Sequence, residues 1–99
     1  MDVKLVDRGE EGELILSGKL EASNSAAAEE LFLKQADRFT NITLNMKDLK
    51  YVSSAGLRVI KRLYLKVRGN GGELSASNVS DYVMEVFEMT GFATILNFK

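Results

Sequence analysis

The stretch from Asn41 to Gly69 restricts the fold more than any other part of this 99-residue chain. A short, mainly apolar run from Ile42 to Met46 is typical of a buried β-strand. After a polar turn comes a segment whose apolar residues recur at helical spacing, namely Leu57, Ile60, Leu63, Tyr64 and Val67. The pattern predicts a strand that leads, through a short loop, into an amphipathic helix.

Two adjacent serines, Ser53 and Ser54, occupy the loop between this strand and the first turn of the helix. That turn has unpaired backbone N–H groups and the positive end of the helix dipole, so it favours an anion, including a phosphate attached to a serine. A serine there more commonly caps the helix by accepting a hydrogen bond from a free N–H group, and the residues alone favour capping. However, two hydroxyls exceed what one cap needs, and the small Ala55 and Gly56 leave the site open to a large group.

The rest of the chain predicts one α/β domain over residues 1–99, with strands and helices in alternation. The expected strands are Val3–Asp7 and Glu13–Ser17, which could form a hairpin, followed by Ile42–Asn45, Glu73–Ser77 and Ala93–Phe98. The first expected helix is capped by Ser23, Asn24 or Ser25, and its apolar face consists of Ala28, Leu31, Phe32, Ala36 and Phe39. Two further helices are expected at Ala55–Arg68 and from the cap Ser80 to Met89. This order predicts a mixed, mostly parallel sheet of about five strands with three or more helices. We expect Phe87, Met89 and Phe92 to lie in the core.

Composition argues against several classes of function. Thirteen basic and 14 acidic residues give a net charge of −1, which is unlike the basic excess of a dedicated nucleic-acid binder. No apolar run approaches the roughly 20 residues that span a bilayer, and the N-terminus lacks the apolar stretch of a secretory signal, so we expect a cytoplasmic protein without a membrane partner. The chain has no cysteine and no histidine, and it therefore lacks thiolate metal ligands and the usual general base. We expect no enzyme activity, no catalytic residue, no metal and no cofactor.

The ends of the predicted strands indicate where a site would form, because sites in open α/β sheets gather at the carboxyl ends of parallel strands. The segment Lys19–Ser25 leaves the second strand and the segment Lys47–Ser54 leaves the third. If these strands are parallel neighbours, Glu21 lies near Ser54. A solvated charge ahead of a helix N-terminus explains Glu21 equally well.

The helix after Ser54 carries five positive charges and no acidic residue, at Arg58, Lys61, Arg62, Lys66 and Arg68. A run of like charges is usually a solvated face. The alternative is a docking surface for an acidic partner, whose association the charges would steer.

The motif YVSSAGLRV, with a strand before it and a basic amphipathic helix after it, resembles the core motif of the STAS domain, the domain of sulfate transporters and anti-sigma factor antagonists. The resemblance extends to LILSGKLE (residues 14–21), GGEL (residues 71–74) and VFEMTGF (residues 86–92). In stand-alone bacterial members the serine two residues before the glycine is phosphorylated by a partner kinase, and here that serine is Ser54. Members usually carry Asp where this chain has Ser53, which makes Ser53 an alternative acceptor. Ala55 replaces the second hydroxyl residue of the motif, and no further helix is predicted after the last strand.

The resemblance implies a protein-binding module that is switched by phosphorylation. Such an anti-sigma factor antagonist binds an anti-sigma factor with serine kinase activity when unphosphorylated, and thereby releases the sigma factor. A phosphatase acting on phospho-Ser54 would reset the switch, and the free module would be a monomer. The implied partner-binding residues are Glu21, Ser53, Ser54, Ala55, Gly56, Leu57, Arg58, Lys61 and Arg62.

Two other functions remain open for a domain of this kind. One is partner switching on a target other than a sigma factor system, such as a response regulator, kinase or phosphatase. The other is binding of a small ligand or nucleotide at the same strand ends, although no glycine-rich phosphate loop is present.

Overall fold

The computed structural model describes residues 1–99 as alternating strands and helices. In chain order the elements are β1 (Asp2–Arg8), β2 (Glu11–Leu20), α1 (Ser25–Arg38), β3 (Asn41–Val52), α2 (Ser54–Gly69), β4 (Leu74–Ser77), α3 (Asp81–Thr90), a 3₁₀ turn (Phe92–Thr94) and β5 (Asn97–Phe98). No helix is both long enough and apolar enough to cross a membrane.

The five strands form a single sheet in which spatial order follows chain order from β1 to β5. β1 pairs with β2 in antiparallel fashion, and the three remaining pairs are parallel. The predicted mixed, mostly parallel α/β sheet with three helices is therefore confirmed. The central position of β3 places the end of this strand, and the serines after it, beside the end of β2.

The hydrophobic core lies on one face of the sheet. The strand register aligns Leu14 of β2 with Leu44 of β3 and Ala76 of β4, and all three are fully buried. The helices add Phe32, Ile60, Leu63, Val67, Val83 and Phe87 to the same cluster of 22 buried residues. Burying one such leucine or phenylalanine stabilises the fold by roughly 1.5–3 kcal/mol relative to exposure. The residues that alternate with them in the strands point to the opposite face, where most side chains are polar, such as Glu13, Thr43 and Ser75.

Strands β2 and β3 are longer than their sequence patterns predicted. β3 continues through Asp48 and Lys50, which we expected in a turn, and ends at Val52. This part of β3 remains extended because the residues on either side of Lys50 pair with the second half of β2, from Asp48 opposite Ser17 to Val52 opposite Leu20. The register shifts between Ile15 and Ser17 and again between Gly18 and Lys19, where β3 each time has one residue more than β2, so the simple alternation of apolar residues in β3 is lost there.

Other expectations near the helices need correction. Asn24 stands at the N-cap of α1, but its side chain makes no cap hydrogen bond and instead holds the preceding loop. The segment expected to be one strand from Ala93 to Phe98 begins with a 3₁₀ turn and leaves only Asn97–Phe98 as β5. Met89 is 79% exposed and does not belong to the core, because it lies on the solvent side of α3, whereas Phe87 is fully buried.

Candidate functional site

The two serines at the start of α2 have different environments. Ser53 is the N-cap residue, and its hydroxyl accepts a hydrogen bond from the Gly56 N–H at 3.2 Å. Its carbonyl accepts the first helical hydrogen bond, from the Leu57 N–H at 2.9 Å. Ser54 is the first residue of the helix and is exposed, and its hydroxyl makes no hydrogen bond within the protein. Capping was therefore the correct interpretation for Ser53, and it leaves the Ser54 hydroxyl free.

The position of this serine pair depends on the end of β2. The Ser53 N–H donates a hydrogen bond to the Leu20 carbonyl oxygen at 2.9 Å. Gly56 packs onto the same residue, since a Cβ atom at position 56 would lie 2.8 Å from both Cγ and the carbonyl oxygen of Leu20. The glycine therefore allows α2 to approach β2 closely and does not leave space for an external group, contrary to our expectation.

The implied partner-binding residues divide into surface and buried positions. Ser54, Arg58, Lys61 and Arg62 are exposed, whereas Glu21, Ser53 and Ala55 are partly buried. Gly56 and Leu57 are buried, so neither can offer a side chain to a partner. Most of these positions thus lie on one surface, and Gly56 and Leu57 pack in the interior beneath it.

Glu21 flanks the serine pair, as expected for parallel neighbouring strands. It directly follows Leu20, whose carbonyl is bonded to Ser53, and its own N–H donates to the Asn24 side chain at 3.0 Å. The Glu21 carboxylate forms no ion pair within the chain. The Glu21 carboxylate therefore places an unpaired negative charge at the edge of the surface that contains Ser53 and Ser54.

The basic residues of α2 are only partly neutralised by α1. Arg62 pairs with Glu29, and Lys66 pairs with Asp37 at 3.1 Å. Arg58, Lys61 and Arg68 have no ion-pair partner in the structure. Exposed ion pairs of this kind contribute at most about 1 kcal/mol each to stability. Their main consequence is that Arg62 and Lys66 are already paired, whereas the other three cations remain available to another molecule.

A shallow groove of about 230 Å³ lies between the N-terminal halves of α1 and α2, beside Ser54. Its lining residues are Ser25, Ala26, Glu29, Ala55, Arg58, Val59 and Arg62. The groove is open and smaller than the roughly 300–1,000 Å³ clefts that enclose drug-sized ligands. Its shape suits contact with another surface better than enclosure of a small molecule.

A polar network on the helix-free face of the sheet was missed by the sequence reasoning. Lys99 and Thr43 both donate hydrogen bonds to the Glu11 carboxylate, and these bonds lower the pKa of Glu11. Hydrogen bonds from Asn45 and Arg8 lower the pKa of Glu13 in the same way. The signal was the alternation of Glu11 and Glu13 with apolar residues in β2. The network lies at the starting ends of β2 and β3, away from Ser54, and it ties the last residue to the sheet.

Comparisons with known proteins agree with this fold. The family model of the STAS domain matches residues 5–99. BtrV of Bordetella bronchiseptica, which is described as a candidate anti-sigma factor antagonist, is 35% identical over 81 residues, covering 81% of this chain and 70% of the relative. The anti-sigma-B factor antagonist of Bacillus subtilis is 24% identical over 82 residues, covering 83% of this chain and 75% of the relative.

Solved structures of the anti-sigma factor antagonist SpoIIAA share the architecture. The unphosphorylated form superposes with a TM-score of 0.85 at 17% identity, over 99% of this chain and 88% of that one. The phosphorylated form of this Bacillus protein gives a TM-score of 0.77 at 17% identity, over 99% and 91% of the two chains. At this identity the likeness shows the fold alone. The family match over nearly the whole sequence and the identity with BtrV show that the chain belongs to the STAS domain family.

Proposed function

We propose that this protein is a phosphorylation-switched antagonist of an anti-sigma factor. In its unphosphorylated form it binds an anti-sigma factor that is also a serine kinase, and the bound kinase releases its sigma factor. The kinase phosphorylates Ser54, the complex dissociates, and a phosphatase that removes the phosphate from Ser54 restores binding. This cycle takes place in the cytoplasm, where ATP is available to the kinase.

The observation that carries the proposal is the division of roles between the two serines. Because Ser53 already provides the cap, Ser54 is not needed to satisfy the helix end, and its free hydroxyl faces solvent at the position of the family motif. A kinase could reach this hydroxyl without unfolding the turn. Ser53 is the weaker acceptor, since it is partly buried and its hydroxyl oxygen is already bonded to the Gly56 N–H, whereas the Ser54 hydroxyl is exposed and unbonded.

The switch would act on the contact surface without refolding the domain. Phosphorylation adds about −1.5 to −2 charges at neutral pH, and a helix N-terminus tolerates negative charge well. On the binding surface the same charge must be desolvated or must face acidic groups of the partner. A loss of about 3 kcal/mol of binding free energy would weaken the complex more than a hundredfold.

The acceptor can be identified by incubating the protein with its anti-sigma factor kinase and ATP, followed by peptide mass spectrometry. We expect phosphate on Ser54, none on Ser54→Ala, and normal modification of Ser53→Ala once its reduced stability is allowed for. Phosphate found only on Ser53 would contradict the assignment. A kinase that modifies neither serine would contradict the proposed switch.

A further inference from the structure

The exposed side of α2 consists of two stripes that differ in what their cations contact. One stripe contains Arg62 and Lys66, which are tied to Glu29 and Asp37 of α1. The other has no contact with α1 acids. Its members are Ser54, Arg58, Lys61, Leu65 and Arg68, which we call the free stripe.

The free stripe is one continuous helical face. Its residues are spaced four, three, four and three apart, and at 3.6 residues per turn they fall within a sector of about 80°. All five are exposed, and the buried residues of α2 lie on the opposite side of the helix. The stripe runs along the helix from the phosphorylation candidate Ser54 to the last turn at Arg68.

Leu65 distinguishes the free stripe from an ordinary solvated face. It is 56% exposed and is the one large hydrophobic residue of α2 with such exposure. It lies between Lys61 and Arg68, neither of which has an ion-pair partner. An exposed leucine with an unpaired cation on either side is complementary, in polarity and in charge, to an amphipathic helix that presents an apolar residue among acidic ones.

We propose that the free stripe docks an acidic amphipathic helix of the partner protein. This inference rests on the proposed function and identifies the partner element that the same site receives. An apolar side chain of that helix covers Leu65, and its carboxylates pair with Arg58, Lys61 and Arg68. The binding surface therefore extends two turns beyond the residues implied by the family motif.

The stripe also gives the phosphate a local means of opposing binding. Ser54 and Arg58 are four residues apart, the spacing at which side chains on a helix meet. A phosphate on Ser54 pairs with Arg58 and removes this cation from the partner. It also places negative charge where the acidic helix begins its contact, so attraction at that end becomes repulsion.

The test is titration calorimetry of the full-length protein with its purified anti-sigma factor kinase, using variants of the free stripe. We expect Leu65→Ala to weaken binding by about fivefold or more, and Lys61→Gln and Arg68→Gln by about two- to fivefold each. The charge variants should also reduce the dependence of affinity on salt. Matched controls are Lys66→Gln, which removes the same charge from the paired stripe, and Met89→Ala, which truncates an exposed hydrophobic residue of α3. Both should bind as the wild type does.

The possible failures are distinguishable. If Ser54→Asp weakens binding while Leu65→Ala, Lys61→Gln and Arg68→Gln all behave like the controls, the docking inference is overturned and the proposed function stands. Loss of binding in the Lys66→Gln control equal to that in Arg68→Gln would also overturn it, since charge alone would then matter. If wild-type protein binds no anti-sigma factor kinase of its own organism, both the function and the inference are contradicted.

Discussion

Replacement of Gly56 by alanine should destabilise the fold, although both residues are small and alanine is the better helix former. The added Cβ would lie 2.8 Å from two atoms of Leu20, which is about 0.6 Å inside the 3.4 Å limit of ordinary contacts. One of these atoms is the backbone oxygen that holds Ser53, so neither rotation of a side chain nor a small shift relieves the clash. Overpacking of this kind costs about 1–3 kcal/mol, and the higher helix propensity of alanine returns at most about 1 kcal/mol.

The net expectation is a loss of about 1–2 kcal/mol in the free energy of unfolding, equivalent to a decrease in Tm of roughly 5–15 °C for a domain of this size. Urea denaturation and thermal melting followed by circular dichroism measure both quantities. Gly69→Ala is the matched control, because a Cβ there meets no atom within 4 Å in the same helix. It should be neutral or stabilising by up to about 1 kcal/mol. A Gly56→Ala protein as stable as Gly69→Ala would refute the close packing of α2 on Leu20.

Three further predictions concern the serines and the acidic network. Ser53→Ala should lower the free energy of unfolding by about 1 kcal/mol through loss of the cap, whereas Ser54→Ala should change it by less than about 0.5 kcal/mol. Urea denaturation measures both values, and equal losses would contradict the assignment of the cap to Ser53 alone. Ser54→Asp should leave the free energy of unfolding unchanged or raise it by about 0.3–1 kcal/mol, while calorimetry shows weaker kinase binding. A parallel loss of stability and binding would point to misfolding. The folded-state pKa of Glu11 lies below its usual 4.5, so its stabilising contribution is present above that pH and is lost as the pH falls through the folded pKa. Glu11→Gln should therefore flatten the acid side of the stability profile, and an unchanged slope would contradict this.

Residue patterns could predict the order of elements because each helix shows its own apolar period and each strand is bounded by polar or glycine-rich turns. They could not predict the length of β3. Lys47, Asp48 and Lys50 resemble a turn when taken alone, and this segment stays extended because Asp48, Leu49 and Tyr51 pair with β2. The same limit applies to β5, whose short pairing with β4 depends on how the 3₁₀ turn before it packs.

The sequence predicted a candidate site at the start of α2, but it could not predict the structural role of each residue there. From the residues alone, the two serines before the helix favoured a cap without indicating which serine provides it, and only the family resemblance singled out Ser54 as the acceptor. The answer depends on where α2 begins, since Ser54 is its first residue and Ser53 is the cap. The inward packing of Gly56 and the division of basic residues between the two stripes depend on contacts with β2 and α1, which no local pattern encodes.

The most direct measurement is calorimetric titration of the anti-sigma factor kinase with two purified forms of this protein, one unphosphorylated and one carrying phosphate on Ser54 alone. The phosphorylated form avoids the weakness of an aspartate substitution, which is smaller and less charged than phosphoserine. A phosphorylated Ser53→Ala protein serves as the control that the effect comes from Ser54. We expect the phosphate to weaken binding by more than a hundredfold, while circular dichroism shows the same fold for both forms. Equal affinity of the two forms for the kinase would contradict the proposed switch.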